Sequence, residues 1–307
     1  MTSHAGWIQQ RIVDGHRPLI IDGGMGTELE KLGVPMESKV WSGRAILSNP
    51  HLVQIAHEKF IEAGAEAIIT NTFSAARHVL EPAGLGSEVR KINMRAVRIA
   101  QQARDATAQH PVAIVGSICE WAADAEENWN TPEAVGNSVR EQGEILAEAG
   151  VDVIALEMCE RIELSEAVAE AVMGLGLPVW IGVSAGTPRE DGTLPVFSYS
   201  ERGFEELISM LTRFPASLVN VMHTGVDDVG KAMEVTKRYW SGPIGVYPES
   251  GYFMMPNWQF VDIIDPIELA NFALEWVAGG ARLIGGCCGL GPDHIRQLQK
   301  TFNCAHT

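Results

Sequence analysis

Short apolar runs alternate with helical patterns along the whole chain, and this alternation is the feature that most restricts the fold. Eight runs are predicted to be strands, and each is followed by a segment with apolar residues at helical spacing. Strands that are apolar on both faces and are joined by helices are typical of parallel sheets with right-handed crossovers. The predicted strands are Pro18 to Gly24, Glu66 to Phe73, Val112 to Ile118, Val151 to Met158, Pro178 to Ala185, Ser217 to His223, Pro243 to Pro248 and Ala281 to Cys287.

Eight such units without a break in composition predict a single-domain (β/α)8 TIM barrel over residues 1–307. The length also fits two ordinary domains, and a doubly wound open sheet is the alternative. The longest connections all follow strands, which in a barrel places them on the face where active sites are built. These connections are Val34 to Pro50, Glu120 to Thr131, Gly186 to Tyr199 and Glu249 to Asp265.

The charge balance restricts the partners. A formal net charge of −16 argues against nucleic acid and against an anionic membrane surface, because both require a basic footprint. The N-terminus has no apolar export signal and no apolar run is long enough for a membrane span, so we expect a cytoplasmic protein. Self-association into a homo-oligomer is compatible with this composition.

The five cysteines are an odd number in a large chain, which predicts reduced thiols rather than a disulfide framework. Two of them are adjacent at the end of the last predicted strand, in the segment Gly285 to Gly289. The glycines permit a close backbone approach, so both sulfurs could lie at the rim of a barrel and bind a metal. The alternative is that the pair packs as small buried hydrophobes, since zinc takes at least three protein ligands. Cys119 and Cys159 are interpreted as packing residues and Cys304 as a tail residue.

Polar residues follow most of the predicted strands and form a ring of acid, amide, hydroxyl, imidazole and thiol groups. Asp22 follows strand one, where it could instead cap the next helix. Glu157 ends the apolar run of strand four, where a half-buried carboxylate needs a partner. His223 ends strand six and could be a metal ligand or a hydrogen-bonded core histidine. A purely structural barrel has no need for such a ring.

Several motifs resemble the homocysteine S-methyltransferase family, over nearly the whole chain. They are DGGMGTELEKLG from Asp22, Trp41-Ser42, HEKFIEAGAEAIITNTF, the Ala-Leu-Glu of strand four and, above all, LIGGCCGLGPDHI. The resemblance implies a zinc-dependent barrel in which three cysteine thiolates bind Zn²⁺. The metal binds homocysteine sulfur and lowers its pKa, and that sulfur attacks the methyl group of a cationic onium donor of the S-methylmethionine or betaine type, giving methionine.

Motif matching assigns roles to individual residues. Asp22 and Glu157 correspond to the acids that bind the amino acid part of homocysteine, and their charge suits its ammonium group. Gly23 and Thr72 are the other candidate substrate-binding residues. Cys287 and Cys288 correspond to two of the metal ligands.

The chain departs from the family pattern at three strand ends. Strand six ends Asn220-Val221-Met222-His223 where the family has Asn-Cys, so the third thiolate is missing. His223 either completes a Cys2His site or the metal is lost or weak. Strand four ends in Glu-Met-Cys instead of Glu-Thr, and strand seven has Tyr-Pro-Glu249 instead of Tyr-Pro-Asn. A different thiol acceptor or methyl donor, or a non-catalytic metal- or homocysteine-binding barrel, is therefore the alternative function.

Aromatic residues are placed in or near the predicted insertions, where they could hold an onium group by cation–π attraction or simply pack the loops. They are Trp41, Trp121, Trp129, Tyr247 and Trp258. The chain is too short for cobalamin or folate modules, and DGGMG lacks the spacing of a dinucleotide fingerprint, so no nicotinamide cofactor is predicted.

Overall fold

Eight parallel strands form one sheet in the computed structural model, which describes residues 4–122 and 129–304. Part of the predicted insertion Glu120 to Thr131 therefore lies outside the described residues. The strands are β1 (Leu19–Ile20), β2 (Ala67–Ile69), β3 (Ala113–Cys119), β4 (Val153–Cys159), β5 (Val179–Val183), β6 (Leu218–Gly225) and β7 (Ile244–Glu249), with β10 (Ala281–Ile284) as the eighth. The remaining two, β8 (Tyr252–Met254) and β9 (Asn257–Gln259), form a separate antiparallel hairpin.

The sheet closes into a barrel. Its order is β1-β10-β7-β6-β5-β4-β3-β2, and every neighbouring pair in it is parallel. A parallel bridge between Ile21 and Ala67 then joins the two ends. The predicted (β/α)8 barrel is confirmed and the open-sheet alternative is wrong, because an open sheet has two unpaired edges. The assignment of residues 1–307 to one domain stays a prediction.

Helices connect the strands and cover the outside of the barrel. Their bounds are α1 (His4–Asp14), α2 (Met25–Lys31), α3 (Ala45–Ser48), α4 (Pro50–Glu62), α5 (Arg77–Leu80), α6 (Val89–Thr107), α7 (Pro132–Ala149), α8 (Ile162–Val172), α9 (Phe204–Leu211), α10 (Val229–Tyr239), α11 (Pro266–Ala278) and α12 (Pro292–Cys304). No helix in these two ranges combines the length and the hydrophobicity that crossing a bilayer requires.

Local sequence signals set the ends of the outer helices. In α7 the Thr131 hydroxyl accepts a hydrogen bond from the Ala134 N–H at 3.2 Å, Pro132 takes the first helical position, and Gly150 ends the helix in the left-handed conformation. Asp265 and Pro266 begin α11 in the same way. These local signals explain where α7 and α11 begin and where α7 ends.

The barrel interior is an apolar core that α1 closes from the N-terminal end of the strands. Ile8 and Ile12 of this helix are buried together with inward-facing strand residues such as Leu19 and Trp180. Helix α1 is not predicted from the sequence, because its few apolar positions lie before the first strand of the repeating pattern. With this end filled, the opposite end of the barrel is left for a site.

We expect the buried His57 to make the protein acid-sensitive. Burial lowers the pKa of His57 to about 3, and neither ring nitrogen has a hydrogen-bond partner among the described residues. As the pH falls below 6.5, His57 is protonated in the unfolded chain but stays neutral in the folded chain. Protonation therefore favours the unfolded state, and the free energy of unfolding decreases. The expected loss is about 1.4 kcal/mol per pH unit. Urea unfolding of wild type and His57→Leu at pH 7 and pH 5 measures it.

The variant should lose less of its free energy of unfolding between these pH values than the wild type, by about 2 kcal/mol. His51→Leu is the matched control, because His51 lies on the same helix but is exposed. Equal pH dependence in wild type and His57→Leu would contradict the prediction.

Candidate active site

A cavity of about 200 Å³ opens at the C-terminal ends of the barrel strands. Residues from β4, β6, β7 and the turn after β10 line it, together with the connections that follow β1, β2, β3, β5 and β7. The lining includes Gly23, Gly24, Trp41, Thr70, Asn71, Ser117, Glu157, His223, Tyr247, Cys287 and Cys288. The polar ring predicted from the strand ends therefore surrounds one cavity.

Two glycine pairs form the seam between the first and last strands at the floor of this cavity. Gly286 N–H donates to the Asp22 carbonyl and Gly24 N–H donates to the Leu290 carbonyl, both at 3.0 Å. A β-carbon on Gly24 would lie 2.6 Å from the Cys287 carbonyl, and one on Gly285 would lie 2.1 Å from an Ile21 side-chain carbon. Only glycine permits this approach, which places the thiol pair beside Asp22.

The thiol pair is fixed by main-chain hydrogen bonds. Cys287 N–H donates to the Pro248 carbonyl at 2.7 Å, and the Cys288 carbonyl accepts from Ser250 N–H at 3.0 Å. Gly289 follows with φ of +83°, and a β-carbon there would lie 1.9 Å from the Ser250 carbonyl. The turn is therefore held between the ends of β1 and β7, and both cysteines line the cavity.

A bulge at the end of β6 brings His223 to the cavity. Met222 pairs with Tyr247 and Gly225 pairs with Glu249, so β6 has one more residue than β7 between these pairs. Met222 faces the barrel interior, and regular alternation would send the next side chain outward. His223 instead has φ of +45° and lines the cavity beside Met222. Such left-handed backbone at a non-glycine residue is costly and clusters at functional sites.

The predicted metal ligands come together. Ligand atoms of His223, Cys287 and Cys288 all lie within 4.8 Å of one another, and His223 Nδ1 lies 3.4 Å from Cys287 Sγ. The other ring nitrogen, Nε2, lies 3.1 Å from a Glu249 carboxylate oxygen. A histidine that binds a metal commonly donates its second ring N–H to a carboxylate. Two thiols and an imidazole held in this way fit a metal ion, and no ligand from Met222 is needed.

The charges of the metal-free cluster are interdependent. The hydrogen bond from the Cys288 thiol, together with the adjacent His223, holds the pKa of the Cys287 thiol well below its ordinary value. Burial alone lowers the pKa of His223, but Glu249 and Cys287 raise it to about 9. Cys287 is therefore the thiolate of the pair, and the His223 imidazole carries the compensating charge.

Asp22 and Glu157 are buried acids beside this cluster. Asp22 Oδ2 accepts a hydrogen bond from Ile69 N–H at 2.7 Å, while Oδ1 has no partner among the described residues. Asp22 therefore caps no helix, and Gly24 occupies the N-cap of α2. Glu157 accepts hydrogen bonds from the Ser117 and Tyr247 hydroxyls, the latter at 3.3 Å. Burial raises the pKa of Asp22 well above its ordinary value and that of Glu157 to about 7.

The two other candidate substrate-binding residues differ in position. Gly23 lines the cavity, and a β-carbon on it would lie 2.2 Å from the Leu290 carbonyl. Thr72 is fully buried, its hydroxyl donates to the Ser117 carbonyl at 2.7 Å, and it does not line the cavity. Its neighbours Thr70 and Asn71 do. The structure therefore places Thr72 as a support for the β3 end that carries Ser117.

Aromatic rings line much of the cavity. Trp41, Trp121, Tyr247 and Trp258 line it as considered from the sequence, whereas Trp129 does not. The sequence reading did not assign three further lining rings, Phe73, Phe197 and Phe253. Their position in or beside the predicted connections was the only available signal. No lysine or arginine is among the lining residues in the described ranges.

The roles of two residues at or near the cavity, Ser117 and Glu249, were not predicted, because each depends on a contact with a neighbouring strand. Ser117 lies in the middle of the apolar run of β3, and Glu249 was noted only as a departure from the family pattern. Their partners, Glu157 and His223, lie on adjacent strands. The four cysteines whose side chains are described are free, and Cys119 and Cys159 are buried away from the metal cluster. The Cys304 side chain lies outside the described atoms.

Comparisons with known proteins agree on the family. A family model described as homocysteine S-methyltransferase matches residues 19–302. Homocysteine S-methyltransferase 3 of Zea mays is 28% identical over 93% of this chain and 90% of its own length. Homocysteine S-methyltransferase YbgG of Bacillus subtilis (strain 168) is 29% identical over 94% and 96%, respectively.

The fold agrees with a solved structure as well. The metallated form of the homocysteine methyltransferase MmuM from Escherichia coli superposes with a TM-score of 0.76 at 24% identity, covering 95% of this chain and 99% of that one. Since the family model spans nearly the whole barrel, this chain belongs to the homocysteine S-methyltransferase family, a family of methyltransferases.

Proposed function

We propose that this protein transfers a methyl group from a cationic onium donor to homocysteine, with Zn²⁺ held by Cys287, Cys288 and His223. The observation that carries the proposal is that a thiol pair, an imidazole and the Glu157 carboxylate line one aromatic-lined cavity, with the buried Asp22 carboxylate close to Cys287. Family membership supplies the reaction class. The altered third ligand leaves a different thiol acceptor as the alternative.

The donor set supports zinc. Zinc bonds of about 2.3 Å to sulfur and about 2.1 Å to nitrogen imply ligand atoms roughly 3.5 Å apart in a tetrahedral site. The 3.4 Å separation of His223 Nδ1 and Cys287 Sγ agrees with this requirement. Three protein ligands leave one position for a substrate atom, as in catalytic zinc sites. When bound, zinc supplies a Lewis acid that lowers the pKa of the homocysteine thiol, so that thiolate is present at neutral pH.

Asp22 and Glu157 suit the homocysteine ammonium group. Each is held by one or two hydrogen bonds but keeps acceptor capacity, and Asp22 Oδ1 has no partner among the described residues. Burial disfavours both charges in the absence of a cation, so a bound ammonium gains charge-assisted hydrogen bonds and restores both carboxylates. The seam places Asp22 beside the thiol pair, and Glu157 on β4 is also close enough to interact with Cys287. An ammonium group held by these acids orients the substrate sulfur toward the thiols.

The aromatic rings that line the cavity suit the methyl donor. A sulfonium or quaternary ammonium centre is attracted to the faces of Trp and Phe rings, and this attraction is stronger where water is excluded. The absence of lysine and arginine from the described lining removes any charge that would repel the donor. In the reaction, the substrate thiolate attacks the methyl carbon and a carbon–sulfur bond forms. The bond from that carbon to the onium atom breaks, its electron pair stays on that atom, and the demethylated donor leaves neutral at that centre.

The first test is methionine formation by purified protein loaded with zinc. We expect methionine from homocysteine with S-methylmethionine or with betaine, measured by mass spectrometry. Heat-denatured protein is the control for uncatalysed transfer. No methionine with either donor would contradict the proposal, and product from another thiol in the same panel would favour the alternative acceptor.

The second test concerns the ligands. We expect elemental analysis to give one zinc per wild-type chain and much less than one in Cys287→Ser and His223→Ala, because two ligands hold zinc weakly. Cys159→Ala is the matched control, since Cys159 is a buried thiol at the C-terminal end of another barrel strand, β4, and lies outside the metal cluster. An unchanged zinc content in His223→Ala would show that the third ligand is wrongly assigned.

The third test concerns Glu157. In Glu157→Gln we expect kcat/KM for homocysteine to fall about 10–100-fold, the value of a charge-assisted hydrogen bond of about 1.5–3 kcal/mol. With 4-mercaptobutyrate, which has the thiol and carboxylate of homocysteine but no amino group, wild type and variant should react equally. An equal loss with both thiols would mean that Glu157 supports the cavity and does not bind the ammonium group.

A further inference from the structure

The His223 ring lies between two groups of different chemistry. Nδ1 faces Cys287 Sγ at 3.4 Å, and Nε2 faces Glu249 Oε2 at 3.1 Å on the opposite side of the ring. A neutral imidazole has one N–H and one lone pair, on different nitrogens. Only the nitrogen with the lone pair can bind a metal, so the proton position decides whether His223 is a ligand.

We propose that Glu249 is a positioning residue that keeps the proton of the neutral His223 ring on Nε2 and directs the Nδ1 lone pair to the metal. A carboxylate is an acceptor only, so it favours the tautomer with the N–H on the facing nitrogen. The same ion-pair contact, at 3.1 Å, restricts the rotation of the ring. The inference rests on the proposed metal centre and assigns a function to a residue outside the ligand set.

The surroundings of Glu249 support this role. Its side chain is 11% exposed, and His223 is its only ion-pair partner in the part of the chain that the structure describes. A carboxylate buried to this extent is costly without a partner of opposite charge or a hydrogen-bond donor. The ion pair with His223 offsets the free-energy cost of burying the Glu249 carboxylate.

Backbone geometry fixes the pair as well. Glu249 is paired with Gly225 across the β6 bulge, so the bulge that turns His223 inward also sets its distance from the end of β7. Phe197 contacts the ring edge-on at a centroid distance of 4.8 Å, and Trp258 lies at 6.0 Å. These aromatic neighbours restrict the ring plane but cannot choose between its nitrogens. That choice is left to Glu249.

The test is a double-mutant cycle read out as zinc affinity. Zinc binding is measured by competition with a chromophoric chelator for wild type, Glu249→Leu, His223→Cys and the double variant. We expect Glu249→Leu to weaken zinc binding about 10–100-fold in the His223 background. In the His223→Cys background it should have a much smaller effect, because a thiolate has no tautomer to select. Glu249→Gln, which keeps a neutral acceptor, should lie between wild type and Glu249→Leu.

A second readout reports the tautomer itself. In zinc-loaded protein with ¹⁵N-labelled histidine, NMR should show the His223 proton on Nε2 in wild type and faster exchange of that proton in Glu249→Leu. Circular dichroism checks that each variant is folded.

The outcomes separate the inference from the proposed function. Equal weakening in both backgrounds would reduce Glu249 to a general negative charge and overturn the inference, as would an Nδ1-protonated ring in the wild type. Either result leaves the metal centre standing if wild type binds one zinc. Failure of the wild type to bind zinc would overturn both.

Discussion

The contact between the first and last strands is the constraint on which the site depends. Strand β1 is only two residues long. At the seam, the backbone that follows β1 contacts the backbone that follows β10 directly, because the glycines there have no side chain to separate them. This closure completes the barrel and brings Asp22, from the start of the chain, beside Cys287, from its end. A larger residue at Gly285 would collide with the Ile21 side chain and the Asp22 carbonyl, and one at Gly24 would collide with the Thr27 hydroxyl and the Cys287 carbonyl.

The second organising principle is a group of buried acidic side chains whose ionised forms burial disfavours. Glu157 and the Cys287 thiolate line the cavity, Asp22 and Glu249 are buried close to Cys287 and His223, and His223 is the only basic side chain that lines the cavity in the described ranges. Burying acids without partners is costly, so such an arrangement is stable chiefly when cations occupy it. A divalent metal ion, an ammonium group and an onium group are three such cations. The acidic side chains near this cavity are thus suited to binding cations.

The departures from the family pattern become coherent when their positions are compared. The resemblance predicts a cysteine at the end of strand six and an asparagine at the end of strand seven, where this chain has His223 and Glu249, and these two side chains lie 3.1 Å apart. An imidazole differs from a thiolate in needing its orientation and tautomer set, and a carboxylate supplies both. The two substitutions are therefore related through space, although 26 positions separate them in the sequence.

The sequence by itself determined the barrel, because strand and helix periodicities are local and glycine and proline mark their ends. It also placed the acids, the thiol pair and His223 at strand ends, which a parallel barrel gathers at one rim. The direction of individual side chains was decided by tertiary structure. An extra residue in β6 reverses the alternation at His223, Thr72 turns away from the cavity, and Glu157 finds Ser117 on β3. These side-chain directions depend on the register of each strand against its neighbour. The register between strands that are distant in the sequence cannot be predicted from the residues of either strand alone.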